Sequence, residues 1–249
     1  MKLSLPIKII QLTLFIIPIL LFIGCGTTTT ITMKDYADQK LDGKNLGVIT
    51  LFNKPDIENT SDVTDDLGPG IPGKVYMNFF IQRVKFAVLR YSGFKSVNFM
   101  DKKSASSLLE RTLVINNNDT LSILLPEDNA RIETDSVHPE YILFIKKIII
   151  SRSMDFENRL KGNFENGKFE NGKWVAGNGL SGSMFVPTLT DNIYHHIYFA
   201  IWDNIKGKLV SYGSVDDKSQ LSFWTMTKSK WESITSLITR KILESAPFQ

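Results

Sequence analysis

Three groupings in the chain have residue types and spacings that chemistry uses. Gly68-Pro69-Gly70-Ile71-Pro72-Gly73-Lys74 fits both G-x-x-x-x-G-K and G-x-G-x-x-G. Those patterns work by converging backbone N–H groups on phosphate where a strand passes directly into a helix. Here the preceding apolar run closes well upstream, at Asn53-Lys54-Pro55. Two prolines delete donors, and Val75 stands where a Mg²⁺-binding Ser or Thr belongs, so the stretch reads as a rigid entry to a helix. His195 and His196 are neighbours on a predicted strand and point to opposite faces. With only His138 beside them, histidines are too few for a His-rich zinc site, and His195 is expected to be a satisfied core residue. Asp62, Asp65 and Asp66 lack the spacing and final Glu of a calcium loop. No Gly-x-Ser-x-Gly elbow occurs. No catalytic residue, metal or cofactor is assigned. The chain is read as non-enzymatic, with a hydrolase built on an unrecognised carboxylate pair as a less favoured alternative and a small-ligand binder on the face of Tyr194, Tyr198 and Trp202 below it.

The strongest signal is at the N-terminus. Lys2 and Lys8 precede an apolar run, Ile9–Ile23, that ends at Gly24-Cys25-Gly26. Basic start, apolar core and small residue before a break are the parts of a secretory signal. As a helix the run would reach about 22 Å, short of the roughly 30 Å hydrocarbon core. The only cysteine of the chain is Cys25, which leaves none for a disulfide or a cysteine metal cluster. Phe22-Ile23-Gly24-Cys25 resembles a bacterial lipobox, which implies cleavage before Cys25 and acylation of its thiol. Acyl chains at about 0.8 kcal/mol per buried methylene hold a protein on a bilayer without a span. Gly26 in place of aspartate matches an outer-membrane address. The expected organisation is a signal peptide over 1–24, a lipidated tether over 25–43, and one domain over 44–249.

Composition agrees with a globular chain: 43% apolar and 22% charged, with 16 Gly and 9 Pro in 249 residues. Of 29 Lys and Arg, two (Lys2 and Lys8) leave with the leader, so 27 face 26 Asp and Glu. A nearly neutral body has no electrostatic footprint for nucleic acid.

The elements read as strand, helix, strand, helix, three strands and a helix, an α/β (borderline α+β) fold with a mixed sheet. Asn45–Phe52 is a short apolar strand. Met77, Phe80, Ile81, Val84, Val88 and Tyr91 make the stripe of a helix over Lys74–Tyr91, stopped by Ser92-Gly93. Ser96–Phe99 is a strand, and Asp101 is set to cap a short helix through Arg111. Residues 114–139 have no clear period. Tyr141–Ile150 is an almost continuous apolar run, hence a central strand, interrupted by Lys146-Lys147. Residues 192–203 alternate: Ile193, His195, Ile197, Phe199 and Ile201 on one face, Tyr194, His196, Tyr198 and Trp202 on the other. The second set is read as a further core layer or, through Tyr194, Tyr198 and Trp202, an aromatic face for a partner. Asp203–Lys208 is a turn into a strand over Leu209–Val215. A final helix over Lys230–Glu244 carries Ser229 and Glu232 as a capping box. An Asn/Gly-rich insert over 156–183 repeats FENGK at 164–168 and 169–173, with Asn-Gly turn signals and no sustained apolar strip for a membrane.

Together these pieces resemble the curli-secretion-channel and TolB-N-terminal-like envelope lipoproteins. The matching residues are the lipobox, Leu46–Phe52, Leu89–Val97 with its Ser92-Gly93-Phe94, Glu140–Ile149, and Ile197–Ser211 with Asp203 and Gly207 in a structural turn. The resemblance implies a lipid-anchored accessory or structural protein of the bacterial envelope, most readily at the outer membrane. Its partners would be the membrane and an envelope protein or a second copy. The alternative it implies is a subunit of an oligomeric export channel, although the paired amphipathic hairpins of that group are not evident in the sequence.

Overall fold

The computed structural model describes residues 27–248 except 42, 44, 59–61, 106, 117–118, 134–137, 158–167, 171–172, 176–187 and 222–225. Its spine is β7 (Tyr141–Glu157), the strand that the apolar run predicts. β10 (Thr188–Asp203) lies antiparallel on one side of it, followed by β11 (Lys208–Gln220) and β1 (Thr28–Thr32). On the other side β2 (Asn45–Thr50) pairs in parallel with Tyr141–Ile145, and β3 (Asp56–Glu58) with Ile149–Ser151. β4 (Ser96–Met100) closes that edge on β2. The result is a mixed seven-stranded sheet of α/β class.

Lys146 and Lys147 interrupt the run because β7 carries a bulge there: Tyr198 pairs with Lys147 and Phe199 with Ile145. The extra residue switches which parity faces inward. Tyr141, Leu143 and Ile145 join one core before it, and Ile148 and Ile150 join the same core after it. Lys147 closes the gap between β2 and β3 by bonding Asp56 at 2.7 Å.

One face of the sheet is covered by helices. α1 (Asp62–Leu67) is short, and α2 (Pro72–Tyr91) starts with proline in its first turn, where the missing N–H costs nothing. α3 (Lys228–Glu244) is capped by Thr227, whose hydroxyl accepts from Lys230 N, so the cap lies two residues before the expected Ser229. Tyr76, Phe80, Val84, Ala87 and Val88 are the buried residues of α2, while Tyr91, placed on the stripe by sequence, is 45% exposed. The stripe is shifted because the helix must meet both the sheet and α3.

The opposite face is covered by a hairpin of β5 (Leu108–Asn116) and β6 (Asp119–Pro126). Leu121, Ile123 and Leu125 of β6 pack with Ile142, Phe144, Ala200 and Trp202 of the sheet in a second core. This corrects the helix expected from Asp101 to Arg111. Asp101 does accept from Lys103 N, but it caps only the 3₁₀ turn Lys102–Ser104 before the chain enters β5.

The tether over 25–43 is also corrected, because much of it is built into the fold. β1 pairs along β11 from Thr28↔Val215 to Thr32↔Ser211, and Asp216 N donates to Thr27 O at 2.8 Å. Tyr36 is 1% exposed, and Leu41 bonds Pro247 beside the C-terminus. Threonine in β1 reads as polar linker by composition, yet a β-branched residue suits an edge strand. Within the insert, β8 (Lys168–Glu170) and β9 (Lys173–Val175) pair across Asn171-Gly172; the remainder of 158–183 lies outside the described residues.

Candidate functional site

Cys25 lies outside the described residues. Thr27, two positions on, is already fixed to β11, so the position expected to be lipidated stands two residues from the folded domain.

The aromatic face splits in two. Trp202 is fully buried beneath the β5–β6 hairpin, with the Arg111 guanidinium 5.7 Å from its ring, and belongs to the second core layer. Tyr194 and Tyr198 are half-buried, and Tyr198 packs against the second core from its margin. Lys218 Nζ lies 5.7 Å from the Tyr194 ring and Lys146 Nζ 5.8 Å from that of Tyr198. Such cation–π contacts hold the lysine stems along the rings. His196 stacks edge-on to Tyr198 at 4.1 Å and pairs through Nδ1 with Asp216. Tyr194, His196 and Tyr198 thus form a strip with aromatic centres and charged margins. Burial raises the Tyr198 hydroxyl above its ordinary range, so it stays a neutral donor.

His195 lies on the helix side of the sheet, 1% exposed, with Trp231 and Tyr76 ring centres at 5.4 and 6.4 Å. It is a core residue, but not a satisfied one: neither ring nitrogen has a hydrogen-bond partner. Burial pushes its pKa down to about 3, so the imidazole is neutral. Asp217 is its cross-strand partner and accepts from Ser219 at 2.7 Å. The Tyr76 hydroxyl sits beside Thr235, but neither oxygen attains full hydrogen-bond geometry.

The three aspartates of α1 diverge. Asp62 takes Arg152 Nη1 at 2.6 Å, Asp66 accepts from Trp231 Nε1 at 3.1 Å, and Asp65 is exposed. Among the described residues no group of three His, Cys, Asp or Glu side chains is placed to hold a metal. Arg152 also meets both oxygens of Asp191, at 2.9 and 3.0 Å from Nε, and the Asp191 bond raises its pKa above the usual value. This clamp ties β7, β10 and α1 together. Sequence reasoning missed it, since Arg152 is 90 positions from Asp62. Asp62 and Asp191 are therefore bridged by a cation, not poised as an acid–base pair.

The glycine-rich stretch is a helix entry. β3 and α1 intervene between it and β2, Gly68 and Gly70 adopt φ of 117° and 141°, and no strand meets the helix at the loop. The turn at Asp203 does match expectation. Its Oδ1 accepts from Ile205 N and Lys206 N at 3.0 and 2.9 Å, Oδ2 accepts from Tyr36 Oη at 2.9 Å, and Gly207 adopts φ 64°. The fourth residue of that network, Tyr36, comes from the segment read as tether.

Among the described residues no helix is long and apolar enough to cross a membrane. No protein-family model matches the chain, and no curated protein matches it. The chain is similar to a solved PelC dodecamer from Paraburkholderia phytofirmans at 10% identity and a TM-score of 0.37, over 88% of this chain and 96% of that one. It is likewise similar to a neuraminyllactose-binding hemagglutinin homologue from Helicobacter pylori at 9% identity and a TM-score of 0.35, over 86% and 88%.

Proposed function

We propose that this chain is a lipid-anchored, non-enzymatic component of the bacterial cell envelope that works through protein contacts. The observation that carries the reading is Phe22-Ile23-Gly24-Cys25, a lipobox-like sequence at the end of a basic-then-apolar leader. The position of Thr27 agrees with it: two residues after Cys25 the chain is already bonded to β11. The strip of Tyr194, His196 and Tyr198 is the surface best suited to a partner. Intact-mass analysis of the mature chain tests the anchor. The expected first residue is an acylated Cys25, and Cys25→Ala should release the protein from the membrane fraction. A mature chain starting elsewhere, or membrane retention of the variant with unchanged mobility, would overturn it.

A second reading, a subunit of an oligomeric outer-membrane export channel, rests on the β7–β10 ribbon. β10 pairs with β7 for nine residues past Ile197↔Ile148, out to Thr188↔Glu157, whereas β1 starts level with Ile197. Its outer four pairs, from Asp191↔Met154 to Thr188↔Glu157, have neither β11 nor β3 beside them, about 14 Å of two-stranded ribbon beyond the sheet. Ring-shaped particles of the detergent-extracted chain, with conductance in planar bilayers, would carry this reading; a monomer in both settings would end it.

A further inference from the structure

The body of the chain is nearly neutral, but its charges are not evenly spread. Between α2 and α3 lies a cleft of about 340 Å³ whose charged lining residues are Arg83, Lys230 and Arg240, with no carboxylate among them. The remaining walls are Ile234, Leu237 and the hydroxyl-bearing Ser219, Ser233, Ser236 and Tyr91. Two acids touch the arginines without lining the cleft. Glu232 accepts Arg83 Nε through its carbonyl at 3.2 Å, and its carboxylate stands 3.8 Å from Nη1. Glu244 meets Arg240 Nε at 3.3 Å. These contacts engage both Nε atoms and, at the longer distance, Arg83 Nη1; none of them engages Arg83 Nη2 or the Nη atoms of Arg240. Arg83 is further fixed by Ser236 Oγ at 2.9 Å and by stacking 4.5 Å over the Phe86 ring. Ser219 and Ser236 are already donating, to Asp217 and to Glu232 O. The donors that remain are Lys230 Nζ, the guanidinium edges, and the Ser233 and Tyr91 hydroxyls.

We infer that this cleft binds an extended anion carrying two or more phosphate groups. Guanidinium edges engage phosphate oxygens through paired N–H donors, and an ammonium acts as a point charge beside them. Lys230 and Arg240 are ten residues apart on α3, about 15 Å along the helix axis, so one phosphate cannot span both. The same chemistry could come from a soluble polyphosphate or from anionic lipid headgroups, and the inference does not depend on acylation of Cys25.

The test uses the full chain in neutral detergent. Tripolyphosphate is titrated calorimetrically in one arm. In the other, phosphatidylglycerol or phosphatidylcholine is doped into the micelles and Trp fluorescence is followed. The comparison protein carries Lys230→Gln and Arg240→Gln, at positions outside the core, and an unchanged melting temperature establishes that it folds. Tripolyphosphate binding that weakens about tenfold or more in the double variant supports a soluble ligand. A response to phosphatidylglycerol over phosphatidylcholine, lost in the variant, supports a headgroup. Absence of both responses, or equal affinity in the double variant, overturns the inference.

Discussion

His195 shows how much one buried side chain can set the solution behaviour of this protein. Its two nitrogens lack partners, and the ring is surrounded by Trp231, Tyr76 and the β10–β11 ladder. The folded pKa is lowered from 6.5 to about 3 by burial. Between those values the unfolded chain holds a proton on this residue that the folded chain does not, so stability rises with pH across the window. The contribution is complete above pH 6.5 and is lost as pH falls toward 3. One proton corresponds to about 1.4 kcal/mol per pH unit, or about 2 kcal/mol between pH 7 and 5. Urea unfolding at those two pH values should show the wild type losing about that much more stability than His195→Phe, whose ring cannot titrate. Parallel losses in both proteins would mean that the imidazole has a proton partner in the folded state.

At the scale of elements, the edge strand β1 depends on one residue opposite it. Gly213 on β11 pairs with Thr30 and adopts φ 158°; a Cβ there would lie 2.1 Å from Thr29 O. That atom is backbone and cannot swing away, so Gly213→Ala should push β1 off the sheet while the rest of the core remains. Hydrogen exchange should then show lost protection over Thr28–Thr32 with little change in β7 and β10; uniform protection would contradict this. The same strand marks the limit of what could be read from sequence. β10 and the long helices were legible because burial imposes alternation or a stripe, and β7 because a strand covered on both faces is apolar almost throughout. β1 was not, since TTTIT has no alternation and its partner lies near residue 213. The β5–β6 hairpin was lost for a related reason. Asp101 gives a genuine cap, but Leu108–Asn116 has only one fully buried residue, Ile115, so its period is faint and the buried set sits on β6. Of the candidate site, the Asp203–Gly207 turn was readable because its bonds are local, while the Arg152 clamp and the cleft between α2 and α3 join residues far apart in the chain. The β7 bulge hid in plain view: two lysines in an apolar run record a change of face, not the end of the strand.

For the whole molecule, the proposed anchor and the observed start of β1 together orient the domain. Two peptide steps of about 3.8 Å separate Cys25 from Thr27, and Thr27 is bonded to Asp216. Acyl chains on Cys25 would therefore hold β11 at the headgroups near Asp216, four residues from its Gln220 end, with no slack for the domain to tumble away. The opposite end, where Tyr141 pairs with Asp203 and β4 begins at Ser96, lies eleven residues farther along β10 than the Asn192↔Gln220 pair, roughly 35 Å away. This can be measured directly, because acylation would consume the only thiol of the chain and leave any introduced cysteine uniquely reactive. Gln220 and Lys95 are both exposed and mark the two ends. In vesicles containing headgroup-nitroxide lipids, a fluorophore on Gln220→Cys should be strongly quenched and one on Lys95→Cys should not. Inserting a long Gly/Ser linker before Thr27 should abolish the difference, since a flexible tether of that kind frees the domain from its fixed distance. Equal quenching at both ends without the linker would show that the sheet edge is not what the membrane holds.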